Sequence, residues 1–115
     1  MLRPFDNTDP LCALKIYLIL IGMAVRRATV TYGELDDKIG RGGARLLAGP
    51  LRCLMRWCHQ EGLPALTAIV VEKDNGRPSS GLTTVEGDFA AEQQRVFRHD
   101  WFAHFPPTIE ELAEK

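Results

Sequence analysis

Apolar residues crowd the chain from Leu11 to Val25, where Lys15 is the one charge. The run is apolar nearly all round a helical projection, which predicts a central core helix. Asp9-Pro10 is its start signal, a capping acid followed by proline at the first helical position. Arg26 and Arg27 suit its carboxyl end. Thr31 and Glu34 have the spacing of a capping box and predict a short helix from Tyr32 to about Ile39. Leu35 and Ile39 share one face of it, and Gly40, Gly42 and Gly43 end it. A third helix is expected from Gly43 or Ala44 to Glu61, with Gly62 as its stop. Leu46, Leu47, Leu51, Leu54 and Trp57 fall on one side, and Pro50 should kink or divide it.

Beyond Leu63-Pro64, the Ala-, Ile- and Val-rich segment Ala65 to Glu72 predicts a strand. Asp74-Asn75-Gly76 is a turn signal. Arg77 to Thr84 is a loop or the return of a short hairpin. Asp88 is placed to cap a helix from Phe89 to about Phe102, with Phe89, Val96, Phe97 and Trp101 as buried residues. Pro106-Pro107 ends that helix. Thr108 then caps up to two turns, or residues 106–115 fray as a flexible tail.

At 115 residues, 45% hydrophobic and 25% charged, the chain has the composition of one globular domain spanning 1–115. Three cysteines, Cys12, Cys53 and Cys58, have neither disulfide-framework nor CxxC spacing and fit reduced thiols in a cytoplasmic protein. The run at Leu11 to Val25 is too short for a membrane span and carries Lys15. No membrane, cofactor or metal is therefore expected.

The net charge is −1, but its distribution is uneven. Lys38, Arg41, Arg45, Arg52 and Arg56 face no acid between Lys38 and Gln60. Seven acids follow from Glu86 to the end, against Arg95, Arg98 and Lys115. On a helical wheel Arg45, Arg52 and Arg56 fall within roughly 40° of one another. Arg41 lies near the same line if the helix reaches back to it. Solvated faces normally mix signs, and guanidinium groups match phosphate geometry. A short helix, a glycine turn and a longer basic helix outline a helix-turn-helix.

Thr31-Tyr32-Gly33-Glu34-Leu35, then Ile39-Gly40, then Gly43-Ala44-Arg45 resemble the DNA-binding half of the O6-alkylguanine-DNA alkyltransferases and alkyltransferase-like proteins. The resemblance covers roughly residues 29–82. It implies a winged-helix part there, with Tyr32 near a phosphate beside a target nucleotide. It also implies that Arg45 enters the base stack from the minor groove, filling the space of an extruded base. The family's enzymes carry a Pro-Cys-His-Arg acceptor motif. The corresponding stretch here, Leu66-Thr67-Ala68-Ile69-Val70-Val71, has no cysteine, histidine or arginine. Without a thiolate nucleophile at that place, self-alkylation is excluded.

Other chemistry is weakly indicated. Cys58 and His59 are adjacent, so on a helix their side chains diverge by roughly 100°. Asp100 and His104 have the spacing of a helical i,i+4 hydrogen bond, read as structural. Ser79-Ser80-Gly81 lacks a nucleophile elbow, and Gly40 to Gly43 lacks the Lys-Ser/Thr of a phosphate loop. The fold expected is α+β and mainly helical: a winged-helix-like centre with an added N-terminal core helix and a C-terminal helix. The function expected is non-enzymatic binding of DNA, in duplex form, through Tyr32, Arg41, Arg45, Arg52 and Arg56. The alternative is a small protein-interaction module, a regulator or inhibitor. It would present the basic helix or the acidic C-terminal segment to a partner protein.

Overall fold

A computed structural model describes residues 9–40, 42–73 and 89–113, without the side chains of Ala44 and Arg45. The Asp74-Asn75-Gly76 turn, the loop or hairpin that follows it, the Asp88 cap and Arg41 lie outside the described residues.

The N-terminal helix α1 spans Asp9–Val25. Its buried residues Cys12, Ala13, Ile16, Tyr17, Leu20 and Ala24 form one stripe at helical spacing. The expectation of burial on every side is corrected, because Leu18 is 54% exposed and Val25 is also open. A domain of this size lacks the surface to cover a central helix all round.

The helix closes with two bonds, from Arg27 N to Ala24 O at 3.0 Å and from Ala28 N to Met23 O at 3.0 Å. This is a Schellman ending with Arg27 in the left-handed region, at φ 55°.

The strand β1, Val30–Thr31, leads with no intervening residue into α2, Tyr32–Ile39. Thr31 Oγ1 accepts from Glu34 N at 3.1 Å, and Thr31 N donates to Glu34 Oε1 at 2.9 Å. The predicted capping box is present. The Thr31 backbone N–H foremost, and then the Thr31 hydroxyl, hold the Glu34 carboxyl below its ordinary range. Gly40, at φ 76°, ends the helix.

The third predicted helix is divided. Residues Ala44–Leu47 form a 3-10 turn, and α3 runs Ala48–Gln60. Pro50 falls in the first turn of α3, where its missing N–H would have no intrahelical partner in any case. Leu47, Leu51, Leu54 and Trp57 are buried as expected, but Leu46 is half exposed. It sits in the tighter 3-10 turn, where the α-helical wheel does not hold. The end of α3 repeats the Schellman pattern, with Leu63 N on Cys58 O at 2.9 Å and Gly62 N on His59 O at 3.2 Å. Here the left-handed position, φ 69°, is filled by Gly62.

The predicted strand at Ala65 to Glu72 is mostly corrected. Leu66–Ile69 form a second 3-10 turn, and only Val70–Val71 make a strand, β2. The helix α4, Phe89–Arg98, supplies the reason. Its buried Glu92 accepts from Ala65 N at 2.5 Å, and Gln93 Nε2 donates to Ala68 O at 2.8 Å. Two side chains of α4 thus take backbone groups that a strand would have given to a neighbouring strand. β2 pairs in parallel with β1, Val30 opposite Val70 and Thr31 opposite Val71.

α4 stops at Arg98, short of Phe102. The Trp101 indole N–H donates to Val96 O at 2.9 Å, occupying the carbonyl that the next helical amide would have used. The last element, α5, spans Ile109–Ala113. It is capped as predicted: Thr108 Oγ1 accepts from Glu111 N at 3.1 Å, and Thr108 N donates to Glu111 Oε1 at 2.9 Å. Its Leu112 is fully buried, so of the two expectations for this segment the helical one forms through Ala113.

The described residues therefore make a mainly helical domain of five α-helices with a two-stranded parallel sheet. The Cα radius of gyration is 13.2 Å, against about 13 Å expected for this length. At the centre, Tyr17 meets Trp57 and Trp101 edge-on, with ring centroids 5.7 and 6.4 Å away. No helix among the described residues is long and apolar enough to cross a membrane.

Candidate nucleic-acid interface

Five residues were expected to form the site, and α2, the 3-10 turn and α3 position them. Tyr32 is the first residue of α2 and is half-buried against the core. Arg41 lies outside the described residues. Arg45 belongs by its backbone to the 3-10 turn at Ala44–Leu47, so it does not continue the α3 spiral. The wheel that aligned it with Arg52 and Arg56 assumed a single α-helix. The turn rises faster and winds tighter than an α-helix, so that alignment is corrected.

Arg52 and Arg56 are four residues apart on α3, and their surroundings differ. Arg52 is exposed. Arg56 is half-buried and turned against α5, where its Nη2 donates to Leu112 O at 2.6 Å and to Glu111 O at 3.4 Å. Its Nε is buried without a partner among the described residues. Carbonyl groups at a helix carboxyl end carry partial negative charge and lack intrahelical donors. A guanidinium is well matched to them. The expectation that Arg56 stands free in solvent is thus corrected.

Acid also approaches the basic helix, from a place the linear charge pattern did not reveal. A Cβ built on Gly49 would lie 2.8 Å from Asp9 Cγ, so the Asp9 carboxylate rests against the first turn of α3. A negative group there suits the helix dipole. It also means that this helix start faces one of the protein's own anions. In the sequence Asp9 signals only the start of α1. Its 40-residue separation from Gly49 hides the contact from any local pattern. A glycine in the first turn of a helix was the available signal.

Cys58 is buried, and desolvation pushes its thiol up to about 12. Cys53 is half-buried, and desolvation raises its thiol too, with Arg56 acting against the rise. Glu92 is buried on α4 and forms an ion pair with Arg95. It flanks a cavity of 520 Å³ shared with Met55, His59 and Leu63. Sequence reasoning had missed this carboxylate, although its place between Phe89 and Val96 on one helical face was a signal. The expected Asp100–His104 bond is replaced. His104 Nε2 lies 3.1 Å from His99 Nε2, and Asp100 Oδ1 accepts from Phe102 N at 3.1 Å. The helix ends before these residues, so i,i+4 spacing no longer describes them.

Comparison with known proteins finds no matching family model, no matching curated protein and no matching solved structure.

Proposed function

We propose that the chain is a non-enzymatic nucleic-acid-binding protein with a winged-helix-like centre, in which α2 and α3 act as a helix-turn-helix on duplex DNA. The observation that carries this reading is the exposed Arg52 on the outward face of a helix whose inner face, Leu51, Leu54, Trp57 and Cys58, is buried. Arg41 and Arg45 precede it with no acid between them in the sequence. In this reading Tyr32, Arg41, Arg45 and Arg52 meet phosphates. Arg56 holds α5 behind them. The short motifs shared with the alkyltransferase-like DNA-binding half support the phosphate contact of Tyr32, and for Arg45 they imply entry into the base stack from the minor groove. The stretch Leu66 to Val71 supplies no acceptor group, so the reading has no alkyl-transfer step.

Phosphate contacts make affinity depend on salt. If Arg41, Arg45 and Arg52 each neutralise one phosphate, the log–log slope is about −2.7. Affinity then falls about 40-fold between about 50 and 200 mM salt. Fluorescence anisotropy with a labelled duplex measures this. Arg45→Ala and Arg52→Glu should each flatten the slope by about one contact's share. Absence of binding to both single- and double-stranded DNA at low salt would refute the proposal.

A second reading has its own observation. Phe102 and Phe105 are 70% and 92% exposed, near Asp100, Glu110 and Glu111 in sequence. Exposed aromatics beside acids fit a protein-interaction module that receives a basic partner. Under this reading Phe105→Ala abolishes partner capture while Arg52→Glu leaves it intact.

A further inference from the structure

We propose that His99 and His104 form a two-imidazole site for a borderline divalent transition-metal ion, of which zinc is the representative. The two Nε2 atoms face each other 3.1 Å apart, and the rings are tilted by 40°. Two nitrogens bound to one tetrahedral zinc at ordinary Zn–N lengths stand about 3.3 Å apart. Two in cis positions of a square-planar ion stand about 2.9 Å apart. The observed spacing falls between these values; the ring centroids, 5.3 Å apart, set the imidazoles nearly head-to-head, so both rings swing toward one side to share a metal.

The contacts around His104 favour ligation through its Nε2, while His99 Nε2, the donor of the 3.1 Å contact, passes its proton to Nδ1 or solvent when the metal binds. His104 Nδ1 lies 3.3 Å from the Phe105 carbonyl oxygen. That oxygen can only accept, so the proton belongs on Nδ1 and the lone pair on Nε2. An imidazole held by its far nitrogen on a backbone carbonyl is the common second contact of a metal-bound histidine. Both rings are held in place by Trp101. Its centroid lies 4.5 Å from His99 and 5.9 Å from His104, and its own N–H is tied to Val96 O. His104 also meets Trp57 at 6.4 Å. The pair is therefore built on a buried tryptophan anchor and not on a free loop.

Imidazole nitrogens select zinc, nickel or copper over magnesium and calcium, which prefer oxygen. Among the described residues no third histidine, cysteine or carboxylate joins the two. The ion would keep water, or a ligand from outside, in its remaining positions. Such a site is open by construction.

The decisive measurement uses the intact, reduced protein and zinc chloride. Long-range nitrogen NMR of the histidine rings should show the Nε2 signals of His99 and His104 moving together with one equivalent of zinc, while those of His59 stay in place. Calorimetry should show one site that magnesium does not compete for. His99→Gln and His104→Gln should each weaken it about tenfold or more, with His59→Gln and Cys53→Ser unchanged. Circular dichroism verifies that each variant folds, and the parent's NMR decides the matter if one does not. Zinc that leaves both rings unshifted, or binds the double His99→Gln, His104→Gln variant as it binds the parent, overturns the proposal. The pair is then a plain N–H···N hydrogen bond.

Discussion

Gly49→Ala offers a sharp test of how α1 and α3 are joined. Taken alone, glycine to alanine within a helix stabilises by about 0.5–1 kcal/mol, because alanine loses less backbone freedom on folding. At this position the new methyl would stand 2.8 Å from Asp9 Cγ, a separation that real Cβ atoms essentially never show. The carboxylate must move away. It then gives up its place at the start of α3, worth about 0.3–1 kcal/mol and more when partly buried. The obstacle is the far end of a single side chain, so it swings aside at little further cost. The gain and the loss nearly cancel, and Gly49→Ala should leave the parent's stability within about 0.5 kcal/mol. In an Asp9→Ala background the obstacle is gone, and Gly49→Ala should stabilise by about 0.5–1 kcal/mol. The coupling energy of the cycle is then roughly 0.5–1 kcal/mol. Urea unfolding of the four proteins measures it, with midpoint shifts of up to about 0.5 M. Gly49→Ala stabilising the parent as much as it stabilises the Asp9→Ala background would refute the placement of Asp9 against α3.

Three further outcomes follow from the geometry. Arg27 fills a left-handed position that the matching end of α3 gives to Gly62, so Arg27→Gly should raise stability by about 0.5–1 kcal/mol in urea unfolding. Arg56→Ala removes the donor to the α5 carbonyls. It should cost about 1–3 kcal/mol and speed amide exchange in Ile109–Ala113, whereas the exposed Arg52→Ala stays within about 0.5 kcal/mol. At pH 8 iodoacetamide should label Cys53 first by mass spectrometry. Cys58, buried and with its thiol pushed up to about 12, should react only when the domain opens.

Much of the helical frame was legible because its signals are local. The Thr31–Glu34 and Thr108–Glu111 boxes, Gly40 and Gly62 each act within a few residues of the boundary they set. Pro50 announced a division and received one. What the chain concealed is non-local. Nothing near Ala65 to Ala68 says that Glu92 and Gln93 will take its backbone groups, so an apolar run was read as a strand. Arg52 and Arg56 look equivalent on a wheel. Only the arrival of α5, 56 residues further on, makes one a surface cation and the other a fastening. The candidate interface was legible as a set of residue types and less so as a geometry, because Arg45 stands in a 3-10 turn.

Thr31 belongs to two structures at once: its backbone lies in the strand opposite Val71, and its side chain starts α2. No residue separates strand from helix, so that junction has no length in which a hinge could form. An insertion there would force a choice between keeping the ladder and keeping the cap. Whatever surface α2 presents is therefore mechanically tied to Val70 and Val71, and motion of one drags the other.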